Sequence, residues 1–420
     1  MSIQSTIAAK ATQYLTLVAL VAFSIWILTT HEPTTLLPNI RVWFAPSAEA
    51  LTQWTGTKIL GWQADFIYQL SSDSSGLYLH WVHCWVLGLL LGAVVYLVIQ
   101  NKVDTAKLYY LLTVLLSYYL AFQLLLYGFN KVFKCQFFLP EPNTLYTTVG
   151  DTPRDLLFWS VMGSSYGYTV FGGVLEVLAG LLLLFGRTRL LGGLLSLGIL
   201  TNVVAINWGF HISVKLYSSV YWLAAFLIVL PHGKRLFAFL IQNKWLDLPT
   251  WRPIGISRKA KITAALCQSV VIWLLLMECL LPYAKSQNYN DDLAARPAFH
   301  GAYSVQSFLQ NEMPIPALPT FSKRWNKAFV HRRGYWIVQY MDGSMQDFHF
   351  RCDEKQQLFE LTHTSTQVAT VLQYRLHQDG SLTVEGLHEG TEIEVYLQKL
   401  DWQQLPLLQQ EFDWTIDAIK

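Results

Sequence analysis

Charge is what this sequence has least of. Only 14% of its 420 residues are Asp, Glu, Lys or Arg, against about 25% in a typical soluble domain, which excludes an ordinary water-soluble globule. The formal net charge is +2 with no basic stripe, so nucleic acid is not an expected partner. Cysteine is scarce as well. Cys84, Cys267 and Cys279 fall in apolar runs, and the region from Ser286 onward holds only Cys352, which rules out a disulfide framework there. Glycine follows no fixed period and aromatics reach 14%, so collagen-like and disordered chains are excluded too.

The shortage of charge is uneven. Residues 286–420 carry 28 charged groups in 135 positions, mostly acidic, whereas residues 1–285 carry 30 in 285, mostly basic. The first part reads as lipid-embedded and the second as soluble. A helix needs roughly 20 mainly apolar residues to cross a bilayer. Seven segments qualify: Gln13–Thr30, Leu79–Gln100, Leu108–Phe129, Gly167–Gly186, Leu190–Phe210, Val214–Pro231 and Thr263–Ala284. The first exceeds a signal peptide's apolar stretch and lacks a small-residue cleavage site, so it reads as a retained span. Alternate loops hold 12 and 6 Lys and Arg residues. By the positive-inside rule the N-terminus is cytoplasmic and the C-terminal domain lies outside, in the periplasm of a bacterial inner membrane.

The expected fold is therefore an all-α polytopic membrane bundle of about seven transmembrane helices over 1–285, a linker over 286–320, and a small antiparallel all-β domain over 321–420. In the last region the hydrophobic period becomes two. Tyr335–Tyr340 and Met345–Phe350 flank Asp342-Gly343, and Tyr374–His377 and Leu382–Val384 flank Asp379-Gly380. Asp-Gly between alternating runs is a strong hairpin signal, because both residues tolerate positive φ. Six or so strands in roughly 100 residues suggest a sandwich or an open barrel. No triad, phosphate loop or metal spacing occurs there, and the scattered His349, His363, His377 and His388 read as surface or strand residues. Binding an exported or membrane protein partner is this domain's expected role.

Chemistry, if present, is expected within the membrane. Glu176 sits inside the fourth span, where a charged group costs at least ~2.5 kcal/mol. Gly172, Gly173 and Gly180 share its helix face, so another helix can approach closely and the carboxyl turns away from lipid. It reads either as a proton-handling or ligand-binding group or as a packing tie to a neighbouring helix. Tyr119, Gln123, Tyr127 and Lys131 recur every four residues and line one wall, with interfacial anchoring as the bland alternative. Lys131 is expected about ten ångströms from Glu176 at ~1.5 Å per residue, with water or the Tyr127 hydroxyl between them. Asn207 and His211 are one turn apart, and Lys215 extends that face if the helix continues. His80 and His83 share a face of the second span, a metal or haem there needing further ligands, and Glu278 reads as a boundary residue. Thr152-Pro153-Arg154-Asp155 reads as a capped helix start, opening an interfacial or re-entrant helix over Leu156–Met162.

Two stretches carry a resemblance: Leu126-Tyr127-Gly128-Phe129-Asn130-Lys131, and Phe171-Gly172-Gly173-Val174-Leu175-Glu176 running on to Gly186-Arg187-Thr188-Arg189. Together they resemble the DoxX-like family, with its small-residue-plus-Lys turn and its Gly-x-x-x-Glu helix closing in Gly-x-Thr-Arg. The resemblance covers about residues 119–235, a four-helix unit; the rest is similar to longer members with extra spans and an exported β-rich tail. It implies a membrane redox component linked to a quinone, with Glu176 and Lys131 as reacting or polar contacts and Asn207 and Lys215 around the ligand; helical spacing adds Tyr127 to the pair and Gln123 and His211 to the ligand's surroundings. No metal is implied, and no cofactor motif is visible. The alternative is a non-catalytic scaffold or transport component whose β-domain engages an exported partner.

Overall fold

The computed structural model describes residues 3–30, 35–36, 38–63, 69–100, 102–245 and 257–409; Arg252, one of the basic loop residues, and the last residues of the β-domain lie outside them. The chain divides into two units. The first comprises residues 1–136 and 167–289, and the second residues 137–166 and 290–420.

The first unit is helical. Its elements are α1 (Ile3–Thr30), α2 (Arg41–Trp54), α3 (Ser75–Ile99), α4 (Thr105–Val132), α7 (Tyr166–Leu184), α8 (Arg189–Gly209), α9 (Lys215–Val229), α10 (Gly233–Gln242) and α11 (Arg258–Ser286). Among the described residues seven helices are long and apolar enough to cross a membrane, so this is a multi-pass membrane protein. Burial ranks them. Within its most apolar window α4 is 61% buried, while α3 is 22% and α11 is 11% buried. Helix α4 is thus the central post. Its Leu112, Leu116, Leu120 and Leu125 meet Phe23 and Trp26 of α1 and Val220 and Ala224 of α9 in one core. Exposed apolar side chains such as Leu90, Leu97, Leu266 and Val270 leave α3 and α11 a face suited to lipid. The sixth span carries through Leu230-Pro231-His232 into α10, a longer element than Val214–Pro231.

The second unit is a closed antiparallel barrel with one inserted segment. Strands β1 (Gly301–Gln310), β2 (Met313–Pro314), β3 (Trp325–His331), β4 (Tyr335–Tyr340), β5 (Met345–Asp353), β6 (Leu358–His363), β7 (Ala369–Leu376), β8 (Leu382–His388) and β9 (Thr391–Leu400) pair in the order β2-β1-β3-β4-β5-β6-β7-β8-β9. β1 also pairs with β9, closing eight strands, and β2 is a short addition beside β1. Trp325, Trp336, Phe348, Phe359, Leu372 and Val384 fill the interior. The barrel therefore starts at Gly301, inside the segment expected to be linker. A bulge between Val305 and Ser307 interrupts β1's alternation, because a one-residue insertion shifts every later side chain to the other face.

The two Asp-Gly turns are present in a different form. Gly343 N donates to Tyr340 O and Tyr340 N to Ser344 O, with the same pattern from His377 to Ser381. Only the glycines take positive φ, +85° at Gly343 and +80° at Gly380. These are longer turns with a left-handed glycine rather than two-residue turns. Each Asp carboxylate instead accepts from the following Ser backbone amide and hydroxyl.

The insert holds α5 (Pro142–Leu145) and α6 (Arg154–Ser164), which belong to the unit of the barrel. Helix α6 starts without the expected Thr152 cap: the Thr152 hydroxyl donates back to Thr148 O. Tyr146 stacks on Phe329 at 6.0 Å and covers a patch of Ala302, Phe329 and Ile337 on the outside of the barrel.

Candidate functional site

Helices α4 and α7 run antiparallel and touch through glycine. A Cβ on Gly173 would lie 2.7 Å from Gly128 O and 2.8 Å from Lys131 Cβ, and one on Gly128 would lie 2.9 Å from Gly173 O. Only bare backbone permits that approach. It also sets the register, which brings Lys131 and Glu176 within about one helical turn. Lys131 Nζ bonds Glu176 Oε2 directly at 2.7 Å, with side chains 11% and 6% exposed. The expected intervening water or Tyr127 hydroxyl is not needed. The expected ten-ångström separation follows from placing Glu176 at mid-span and Lys131 near the outer surface. The Gly128–Gly173 register instead starts α7 beyond the end of α4, so Glu176 lies close to the level of Lys131.

The four-residue stripe is a wall, but a closed one. Tyr119 accepts from Trp26 Nε1 at 3.0 Å, and Gln123 Oε1 accepts from Tyr221 at 3.1 Å. Tyr221 packs edge-on to Tyr119 and lies 6.5 Å from the Tyr127 ring, while Lys131 Nζ stands 5.8 Å from the centre of that ring. The partners Trp26 and Tyr221 come from α1 and α9, distant in sequence and visible only once the bundle forms.

Asn207, His211 and Lys215 do not share a face. Helix α8 stops at Gly209 and His211 takes a left-handed φ of +61° before α9 begins at Lys215. Asn207 is buried, His211 is exposed, and Lys215 belongs elsewhere. Its backbone N and its Nζ both donate to Asp73 Oδ2, and Leu216 N donates to Asp73 Oδ1. Asp73 thus places a carboxylate on the first amides of α9, where the helix dipole favours a negative charge.

Other polar residues also find partners within the bundle. Glu278 is buried and accepts from Leu36 N at 2.9 Å, from the Thr35 hydroxyl at 3.0 Å and from Thr35 N, so it ties the last part of α11 to the segment beyond α1. His80 Nε2 shares a 2.8 Å hydrogen bond with the Thr29 hydroxyl, and its ring stacks on Trp26. Tyr283 donates to Asn130 Oδ1 at 2.6 Å. Among the described residues no three His, Cys, Asp or Glu gather as metal ligands.

In the second unit Glu141 is a further polar centre that sequence reasoning missed. It accepts from His300 Nε2 at 3.0 Å and Arg332 N at 3.0 Å, fastening the insert to the barrel. Burial by itself would raise its pKa. The His300 hydrogen bond, the Arg332 amide and the charge of His331 and His300 outweigh burial and hold it below the ordinary carboxyl value. Arg332 also pairs with Asp291 and lies 4.1 Å over the Phe138 ring. Nothing local in the sequence distinguishes Glu141 from a loop acid, because its partners lie more than 150 positions away.

No family profile and no solved structure matches the chain. Uncharacterized protein YwoB of Bacillus subtilis (strain 168) is 33% identical over 129 residues, which is 31% of this chain and 81% of YwoB. The chain belongs to the YwoB family. That kinship covers a minority of the chain, and YwoB's name carries no activity to transfer.

Proposed function

We propose that this protein is a membrane-anchored binding or scaffold component. Its helical unit holds it in the bacterial inner membrane, N-terminus in the cytoplasm, and its periplasmic barrel does the recognising. One observation carries this reading. The central polar groups of the bundle close on each other, as Lys131–Glu176, Tyr221–Gln123, Trp26–Tyr119 and Lys215–Asp73. The barrel, in contrast, keeps buried polar groups beside a cavity. A buried ion pair whose two charges meet directly ties neighbouring helices together without a ligand to compensate either charge.

A second reading follows the DoxX-like resemblance. In it the protein is a quinone-linked redox component, with Lys131 and Glu176 as polar contacts. The tyrosines beside the pair favour it, since a quinone site needs an apolar, aromatic lining and few polar groups. Purification from native membranes with partners retained, followed by lipid extraction and mass spectrometry, separates the two. The scaffold reading expects no stoichiometric quinone. A stoichiometric quinone that disappears in a folded Glu176→Gln variant would replace it with the redox reading. Orientation has its own check: a periplasmic reporter fused after Lys420 should be active and one fused after Lys244 inactive.

A further inference from the structure

At one end of the barrel, strands β1, β4 and β8 stop while β3 and β9 begin. The 315–324 connection gathers there, Arg324 Nε donating to Ile315 O and Met341 N to Arg324 O. Between them lies a cavity of about 370 Å³, a size suited to a small molecule. Phe308, Ile315, Trp325 and Ile393 supply apolar wall.

Two buried groups in the lining have unused capacity. His388 is 6% exposed and neither ring nitrogen has a hydrogen-bond partner among the described residues. The ring is held edge-on by Trp325 at 5.2 Å and Phe348 at 5.5 Å. An unpaired buried polar atom is unfavourable, so a native structure usually pairs it with something. Arg324 is 5% exposed. Its Nε and Nη1 are spent on Ile315 O at 3.0 Å, Trp325 O at 2.8 Å and Met341 Sδ, while Nη2 makes no hydrogen bond to the described residues. The charges along the lining are those of Arg324, Lys323 and Glu389, which leave one net positive charge. Burial lowers the His388 pKa, with His363 acting the same way and Glu389 opposing. The neutral ring then offers one donor and one acceptor.

We infer that this end of the barrel binds a small monocarboxylate with an apolar body, its carboxylate on Arg324 Nη2 and His388 and its body against Trp325 and Phe308. This rests on the reading that recognition belongs to the barrel, and it names the chemistry of the ligand. One negative charge matches the net charge of the lining, and a charge-assisted hydrogen bond from Nη2 suits a carboxylate oxygen.

The test is calorimetric titration of the full chain in nanodiscs, corrected against empty nanodiscs. The probes are indole-3-acetate, 3-phenylpropionate and octanoate, with their amides and inorganic phosphate as comparison arms. At least one carboxylate should saturate at one site per chain, with its amide and phosphate at least about tenfold weaker, ~1.4 kcal/mol. His388→Phe should weaken binding by about tenfold or more while the chain still folds, because it keeps a ring between Trp325 and Phe348 and removes only the nitrogens. Arg324→Gln should weaken it likewise. Failure of all three carboxylates to saturate overturns the proposal, as does equal binding of the amides or of phosphate. Unchanged binding in His388→Phe overturns it as well. None of these outcomes bears on quinone content, so a failed site and a failed scaffold reading remain distinguishable.

Discussion

Direct contact between Lys131 and Glu176 makes single and double substitutions diverge in a calculable way. Glu176→Gln leaves an ammonium in a site 11% exposed, and Lys131→Met leaves a carboxylate in one 6% exposed. Removing one partner of a buried pair costs about 3–5 kcal/mol, because the remaining charge is uncompensated, whereas replacing both by groups of similar shape is close to neutral. Methionine keeps the Lys131 Cβ that packs against Gly173 and fills the stem's volume without charge. The double variant Lys131→Met/Glu176→Gln should therefore recover most of the loss, a positive coupling of several kcal/mol in the cycle. Thermal unfolding in detergent, read by helical circular dichroism and by the folded peak in size-exclusion chromatography, measures it. Each single variant should melt on the order of 10 °C lower if ~2–4 °C corresponds to 1 kcal/mol, and the double variant within a few degrees of the parent. Singles as stable as the parent, or a double equal to the sum of the singles, would refute the ion pair as a packing tie. Recovered folding with lost biological function in the double variant would instead give the pair a chemical role and favour the redox reading.

Gly173→Ala should destabilise the bundle by about 1–3 kcal/mol through overpacking, since its Cβ would sit 2.7 Å from Gly128 O; Gly172→Ala, which meets open space, should be nearly neutral in the same melt. Asp73→Ala removes the carboxylate from Lys215 N and Leu216 N and leaves the Lys215 ammonium, 13% exposed, uncompensated, so it should cost more than loss of a helix cap, about 3–5 kcal/mol. In the second unit Glu141 has its folded pKa depressed below the ordinary 4.5. Its contribution is therefore complete above that value and is lost as pH falls through the lower folded value. The acid limb of the melting profile should flatten in Glu141→Gln, and an unchanged limb would contradict the assignment.

How much of this was legible beforehand depended on whether the signal was local. Seven apolar runs and the Asp-Gly hairpins need only neighbouring residues, because burial in lipid and the backbone demands of a turn act over a few positions. Strand β3 was not legible in that way. Ala328, Phe329 and Val330 are all fully buried, one face by the barrel interior and the other by Tyr146 of the insert, so no alternation marks the strand. Strand β1 lost its alternation to a bulge.

The candidate site divides along the same line. The amino-acid sequence by itself determined that Glu176 lies on a glycine-lined helix face and that Tyr119, Gln123, Tyr127 and Lys131 share another, since helical periodicity requires no partner. Only the tertiary structure decided that Lys131 meets Glu176, that Lys215 goes to Asp73, and that residues 137–166 belong with the barrel. Those outcomes depend on the register between helices and on which distant acid reaches a buried base first. Both are properties of packed backbones, and no window along the chain contains them.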